Sequence, residues 1–278
     1  EPVWMRDVTR EPAFKRGEAA RRSGLRTGFA FPVRAGTTTL GVLEFFSRDE
    51  RAPDESLLQM ARVVGSQIGQ FMARRQAEQN LLYVATHDSL TGLPNRYMFN
   101  QRFEHALTHA QRYGRQMAVL FVDLDRFKYV NDTRGHPFGD ALLAELGRRL
   151  RSALRDSDTV ARFGGDEFVA LIEEIETAGD VANVAQKLLD VARRPVIIDG
   201  EACALSASIG VSLYPEDGAD QSTLLKNADI AVYRAKDQGR DNYAFHSADM
   251  NDHLVRRLAV EGGLKVALER EEIGRAHV

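Results

Sequence analysis

Arg162-Phe163-Gly164-Gly165-Asp166-Glu167-Phe168 decides the reading of this chain, because it sets two carboxylates directly behind a glycine pair inside an apolar hairpin. Thr159-Val160-Ala161 precedes it and Phe168-Val169-Ala170-Leu171-Ile172 follows, so the glycines mark the turn between two strands. Glycine there permits positive φ and leaves room for a ligand's phosphates to approach the backbone. Taken alone, the string reads equally well as a surface turn with solvated acids. The residues on either side of it separate the two readings.

Upstream, Met117-Ala118-Val119-Leu120-Phe121-Val122 is a continuous apolar run, the pattern of a strand buried on both faces. It runs out in Asp123 and Asp125, where open α/β sheets place their sites. These two acids alone also fit a plain strand-end turn, but Asp166 and Glu167 of the hairpin are able to join them. Carboxylates about 4 Å apart repel by about 4 kcal/mol per pair at an effective dielectric of about 20, so such a cluster requires cations or raised pKa values. Hard oxygen donors without a cysteine or histidine cluster select magnesium or manganese over zinc. Metals on paired acids serve in-line displacement at phosphorus.

Composition bounds the answer. With 278 residues, 44% hydrophobic and 28% charged, the chain has an ordinary globular make-up and length for one to three domains. A formal net charge of −3 and a pI near 6.2 argue against an electrostatically driven nucleic-acid binder. The single cysteine, Cys203, rules out an internal disulfide and a multi-cysteine metal cluster, which suits a reducing compartment, the cytoplasm by default. No apolar run is long enough for a membrane span, and the N-terminus lacks the order of a signal peptide.

Residues 1 to 53 carry two apolar runs, Phe29 to Val33 and Leu40 to Phe46, that read as antiparallel strands. From Pro53 to Thr86 apolar positions recur at helical spacing through Leu57, Ala61, Val64, Ile68 and Phe71, then Leu82 and Ala85. The seam fits either a coiled coil or a helix packed on its own domain up to Phe71; beyond it, Arg75 and Glu78 make the seam polar and point to a linker. A second unit opens at His87-Asp88-Ser89-Leu90-Thr91-Gly92-Leu93-Pro94-Asn95-Arg96 and continues as a helix to Tyr113. After the buried strand come a helix from Asp140 to Leu154, the hairpin, a helix from Ala178 to Arg194, a strand region from Cys203 to Tyr214 and a helix from Gln221 to Lys236. Helices returning to a mixed sheet give an α/β sandwich of about 160 residues. Both ends of the chain read as cut, and Ile273 to Val278 reads as a non-native tail, since a common sequencing-adapter string translates to those six residues.

Phe127-Lys128-Tyr129-Val130-Asn131-Asp132-Thr133-Arg134-Gly135-His136-Pro137-Phe138-Gly139-Asp140 completes the pattern. Together with the hairpin, Ser208-Ile209-Gly210-Val211 and Tyr233-Arg234-Ala235-Lys236-Asp237-Gln238-Gly239-Arg240, it resembles the GGDEF family, the diguanylate cyclases. The resemblance covers residues 80 to 246 in five ordered motifs. It implies a fold similar to the palm of nucleotide cyclases and polymerases, with a central mixed, mainly antiparallel sheet flanked by helices. It also implies condensation of two GTP into cyclic di-GMP and two pyrophosphates.

Carried over by position, Asp123, the Leu124 carbonyl, Asp166 and Glu167 hold Mg²⁺ or Mn²⁺ on the triphosphate. Asp166, with Glu167 as second choice, is the base for the ribose 3′-hydroxyl. Lys128 stabilises charge on the phosphoryl oxygens. Asn131 and Asp140 read guanine, whose paired N–H donors suit a carboxylate; Asp140 is also expected to cap the helix it opens. His136 either lines that pocket or is a structural loop residue. Lys236 and Arg240 match the triphosphate contacts, and are equally the basic residues favoured at a helix C-terminus. Arg155 and Asp158 match the Arg-x-x-Asp product site, where cyclic di-GMP inhibits.

One site per domain and two nucleotides per reaction imply a homodimer. Residues 1 to 76 resemble part of a GAF sensor domain, through Gly24-Leu25 and Gly41 to Phe46, with its ligand pocket largely missing. Residues 77 to 86 form the linker and 87 to 246 the GGDEF domain, while 247 to 272 resemble the first helix of an EAL phosphodiesterase domain. The alternatives are a GTP-binding regulatory module of a GGDEF–EAL phosphodiesterase and a cyclic di-GMP receptor.

Overall fold

A computed structural model describes residues 1 to 250. The proposed EAL segment from 251 onward and the suspected tail lie outside the described residues. The chain divides into two compact units within one helix, between Tyr83 and Val84.

In the first unit β1 (Val3–Met5), β2 (Thr27–Ala35) and β3 (Thr38–Ser47) form an antiparallel sheet in that order, with a short helix α1 (Gly17–Arg22). Phe31 pairs with Leu43, as the two apolar runs require. The long helix is α2 (Glu55–Thr86). Its first half is a core helix: Ala61 is buried with Phe29 and Phe31, and Leu57 and Val64 pack on them. Gly65 and Gly69 allow this, since a Cβ on either would stand 2.4 Å from the Pro32 carbonyl oxygen and 2.0 Å from that of Arg34. Phe71 and Leu82, further along the seam, are 63% and 67% exposed. An apolar cavity of about 350 Å³ opens between Trp4, Phe29, Phe31, Phe45 and α2.

In the second unit a five-stranded sheet runs β10-β9-β4-β6-β5. The strands are β4 (Gln116–Leu124), β5 (Thr159–Gly164), β6 (Glu167–Ile175), β9 (Ala207–Tyr214) and β10 (Asn242–Phe245). Only the β9–β10 pair is parallel, so the sheet is mixed and mainly antiparallel. The pleat of β4 explains its unbroken apolar run. Ala118, Leu120, Val122 and Leu124 enter one core, with Leu142, Leu146 and Leu150 of α5 (His136–Ala153) and Leu188 and Leu189 of α6 (Ala178–Arg193). Met117, Val119 and Phe121 enter the other, with Phe99 and Phe103 of α3 (Arg96–Tyr113) and Leu224, Ala228 and Val232 of α7 (Gln221–Asp237).

Helix ends follow their caps. Asn95 accepts from the Met98 N–H at 3.0 Å to open α3, and Gly114, at φ 62°, closes it. Residues Phe127–Arg134, to which the sequence reading gave no element, form a helix, α4. Two expectations need correction. The next helix opens at His136 and not at Asp140, because Pro137 supplies the fixed φ of a first turn; Asp140 therefore lies inside α5 and caps nothing. The strand region from Cys203 divides: β8 (Glu201–Cys203) pairs with β7 (Val196–Ile198) around Asp199-Gly200, both at positive φ, and β9 begins only at Ala207.

The Ser208-Ile209-Gly210-Val211 motif gains a packing reason. A Cβ at Gly210 would stand 1.9 Å from the Ala228 carbonyl oxygen and 2.3 Å from the Val232 nitrogen, both rigid backbone of α7. Replacing Gly210→Ala is expected to destabilise the unit by about 3 kcal/mol or more, beyond the usual range for an inserted methylene. Urea denaturation of both forms measures it.

Candidate active site

The hairpin is held open by its own arginine. Gly164 and Gly165 take φ of 150° and 51°, values that a side chain resists. Arg162 donates from Nε and Nη2 to the Gly165 carbonyl at 3.1 and 2.8 Å. Its Nη1 reaches both carboxylate oxygens of Asp88, at 3.0 and 3.2 Å. Asp88 accepts in addition from the Thr91 N–H and hydroxyl, at 2.9 and 2.7 Å. Partial burial pushes the Asp88 carboxyl up, but the hydrogen bonds from Thr91 and Arg162 outweigh it and hold the group below its ordinary value. Phe163 anchors the other side, edge-on to Phe99 at 5.1 Å and beneath the Arg96 guanidinium at 5.4 Å. The sequence reading missed Asp88 and Arg162 as site residues, though both stand in the quoted motifs.

Antiparallel register then brings the acids together. Asp123 at the end of β4 lies directly opposite Glu167, the first residue of β6, so their side chains share a face. Asp166 occupies the turn beside them. Asp123 is 17% exposed, and the Lys236 ammonium, near the end of α7, stands 2.6 Å from its Oδ1. Burial raises the Asp123 carboxyl, and the charges of Asp166 and Asp125 add to the rise, against the pull of Lys236. Partial burial also raises Glu167, followed by like charge from Asp229, Asp123 and Asp166. Asp229 on α7 is raised by burial and relieved by Lys236. Glu167 and Asp229 keep solvent access as whole residues, which limits the size of both shifts. Asp229 is a member of the cluster that the sequence reading did not find, because only the packing of α7 against the sheet brings it there.

The other expected residues fall into three places. Lys128 is exposed on α4. Asn131 follows on the same helix, and His136 and Asp140 are exposed on α5, so α4 and α5 present the expected base-reading residues. Asn131 packs on Gly139, where a Cβ would meet its Oδ1 at 1.9 Å, and that buried oxygen has no donor among the described residues. Arg240 follows α7, its Nε 3.9 Å from Asp125. Arg155 and Asp158 lie away from this cluster, at a cavity of about 450 Å³ also lined by Glu173, Asp180 and Lys187. Arg155 is exposed, whereas Asp158 is buried and accepts from the backbone N–H groups of Arg155 at 3.1 Å and Glu173 at 3.4 Å.

The donor set suits a hard cation. Among the described residues no three acidic, histidine or cysteine side chains are gathered closely enough to cage an ion by themselves. Magnesium is bound in another way, through one or two carboxylates completed by substrate phosphates. Asp123 and Glu167, facing each other across β4 and β6, fit that mode as the carboxylate pair, with Asp166 and the Leu124 carbonyl next to them in the chain.

Because its folded-state carboxyl is raised, ionised Asp229 disfavours the fold, and that penalty vanishes as the pH falls below the usual carboxylate range. Asp229→Asn is therefore expected to raise the melting temperature of metal-free protein at about pH 7, by up to about 4 °C, and to leave it unchanged at about pH 3. Thermal unfolding at the two pH values measures this.

Comparison with known proteins agrees with this architecture. Residues 85–242 match the family described as "Diguanylate cyclase, GGDEF domain", and residues 1–73 match a GAF domain. The bifunctional diguanylate cyclase/cyclic di-GMP phosphodiesterase MucR of Pseudomonas aeruginosa is 47% identical over 198 residues, covering 71% of this chain and 29% of the relative. The GGDEF domain of TpbB (YfiN) from the same organism superposes with a TM-score of 0.59 at 41% identity, covering 60% of this chain and 98% of that structure. The coiled coil and GGDEF domain of DgcB from Caulobacter crescentus, solved with c-di-GMP, gives 0.58 at 26% identity, covering 67% and 98%. The chain spans less than half the length of the curated relatives it matches. No helix among the described residues is long and apolar enough to cross a membrane. With the sheet order, the glycine hairpin and the family match over more than half its length all in agreement, the chain belongs to the GGDEF family.

Proposed function

We propose that this chain is a diguanylate cyclase, joining two GTP into cyclic di-GMP with release of two pyrophosphates. The observation that carries the reading is the pairing of Asp123 and Glu167 across β4 and β6 with Lys236 2.6 Å from Asp123. It is an acid cluster at a strand end that already recruits a cation. Residues 1 to 76 are the sensor, 77 to 86 the linker and 87 to 246 the catalytic domain of this reading, which places the reaction in the cytoplasm.

Asp123, the Leu124 carbonyl, Asp166 and Glu167 would hold Mg²⁺ or Mn²⁺. The ion supplies Lewis-acid stabilisation of the phosphoryl oxygens when bound. Asp166 takes the proton from the ribose 3′-hydroxyl that attacks the α-phosphorus of the other GTP. Glu167, opposite Asp123 at the head of β6, is the second candidate. Lys236, whose ammonium stands beside Asp123 at the same strand end, and Arg240 would contact the triphosphate. Lys128 adds positive charge at the phosphoryl oxygens.

Guanine is read between α4 and α5, by Asn131 and Asp140 with His136 beside them. Asn131 is suited to this, since turning its donorless oxygen toward a base N–H gains a hydrogen bond and breaks none. Adenine lacks the donor pair that Asp140 accepts, and a desolvated acceptor left unpaired costs about 1–3 kcal/mol. Arg155 and Asp158 form the product site, with Arg155 the exposed member and Asp158 shaping the loop that carries it. Two domains facing across a two-fold axis complete the reaction, and the exposed Phe71 and Leu82 of α2 offer the dimer seam.

Purified protein incubated with GTP and Mg²⁺ is expected to yield cyclic di-GMP and pyrophosphate, with specific activity rising with protein concentration until dimerisation saturates. GTP binding without turnover would favour a regulatory module, and cyclic di-GMP binding without GTP binding a receptor. Activity independent of concentration would overturn the dimer. Arg155→Ala is expected to relieve inhibition by added product by about tenfold or more while leaving the initial rate intact. An unchanged inhibition curve would remove the product site from Arg155.

A further inference from the structure

Asp125 directly follows β4 and is given no role in the reaction proposed above. It is 4% exposed, and four groups converge on its carboxylate. The hydroxyl of Ser206 donates to Oδ2 at 2.6 Å, that of Ser208 to Oδ1 at 2.8 Å and the Asp241 N–H to Oδ2 at 3.1 Å. Arg240 Nε stands 3.9 Å from Oδ1. The Asp125 N–H in turn donates to the Ser206 carbonyl at 2.9 Å. One buried acid thereby ties the end of β4 to the start of β9 and to the turn that follows α7.

That turn is strained. Gly239, Arg240 and Asp241 take φ of 114°, 65° and 52°, and the last two are side-chain-bearing residues in the left-handed region. Such backbone persists only where its surroundings over-determine it. Three groups do so here. Arg240 N–H donates to the Ala235 carbonyl at 3.2 Å, Arg193 donates to the Asp241 Oδ1 at 2.8 Å and carbonyl at 2.9 Å, and Asp125 holds the Asp241 N–H. Arg126, at φ 58°, and Arg240 line the same cavity of about 500 Å³, with Asp125 and Ser206 among its walls. The Arg240 side chain is 48% exposed, and among the described residues no hydrogen bond engages its terminal nitrogens.

We propose that Asp125 is a positioning residue for the triphosphate: by holding the Asp241 N–H and facing the Nε edge of Arg240, it sets the strained turn so that the guanidinium fork stands ready for phosphate oxygens. A guanidinium steered at Nε keeps its two terminal nitrogens for bidentate recognition. This deepens the cyclase reading and rests on its assignment of Arg240 to the triphosphate.

The test is binding of 3′-deoxy-GTP with Mg²⁺, which lacks the attacking hydroxyl and reports affinity apart from turnover, together with KM and kcat for GTP. Asp125→Asn keeps the shape and removes the charge. It is expected to weaken binding and raise KM by about tenfold, the scale of one charge-assisted hydrogen bond, with kcat within about twofold. Arg240→Gln should weaken binding at least as much, and the double variant no more than Arg240→Gln alone. Arg193→Ala removes the turn's other tether from an exposed position and should shift affinity in the same direction, a readout that stands even where Asp125→Asn fails to fold. Losses that multiply in the double variant, or an Asp125→Asn protein with lowered melting temperature and unchanged affinity, would overturn the inference. So would unchanged affinity in Arg193→Ala. Unchanged affinity in Arg240→Gln would remove the triphosphate assignment itself, and the inference with it.

Discussion

The site depends on a single guanidinium. A turn built from two glycines has no side chains of its own to fix it, and the acids behind it repel one another. Arg162 resolves both problems from within the same hairpin, by holding the Gly165 carbonyl with one edge and Asp88 with the other. The pair is largely buried, so its members are interdependent; removing one partner of such a pair typically costs about 3–5 kcal/mol, because the other is left uncompensated. Asp88 is itself fixed by Thr91, so the entry turn of the domain and the glycine hairpin form one hydrogen-bonded body. The conformational freedom that glycine gives at φ 51° becomes a defined geometry only through this clamp.

Charge governs what the clamp assembles. Asp123, Asp166, Glu167 and Asp229 are brought to one end of the sheet, with Lys236 as the cation facing three of them. Burial raises the carboxyls of Asp123, Glu167 and Asp229, and like charge adds to the rise of the first two. The cluster is therefore destabilising as protein and useful as a site. Its energy is recovered by the two cores on either face of β4, whose alternating residues are almost wholly removed from water.

Close backbone approach is the second theme. Gly210 lets α7 lie directly on β9, and α7 is the element that carries Asp229, Lys236 and the turn bearing Arg240. Gly139 in α5 does the same for Asn131 of α4. Gly65 and Gly69 seat α2 on its own sheet, which settles the double reading of that seam up to Gly69 in favour of a core helix. In each case the residue without a side chain fixes the distance between two elements, and the neighbours carry the chemistry.

The amino-acid order alone determined the sheet-and-helix class, the buried central strand, the hairpin with its acids and the family resemblance, because these rest on local signals: period-two burial, turn glycines and ordered short motifs. Local signals that were present but unread include Pro137, which starts α5 before Asp140, and Asp199-Gly200, which makes a hairpin before β9. Tertiary structure alone decided the rest. Lys236 meets Asp123 across 113 positions of chain, Asp229 enters the acid cluster from α7, and Asp125 turns to serine hydroxyls. Which carboxylate is left to a cation and which is spent on hydrogen bonds depends on what packs around the strand's end, and that is a property of the folded neighbourhood.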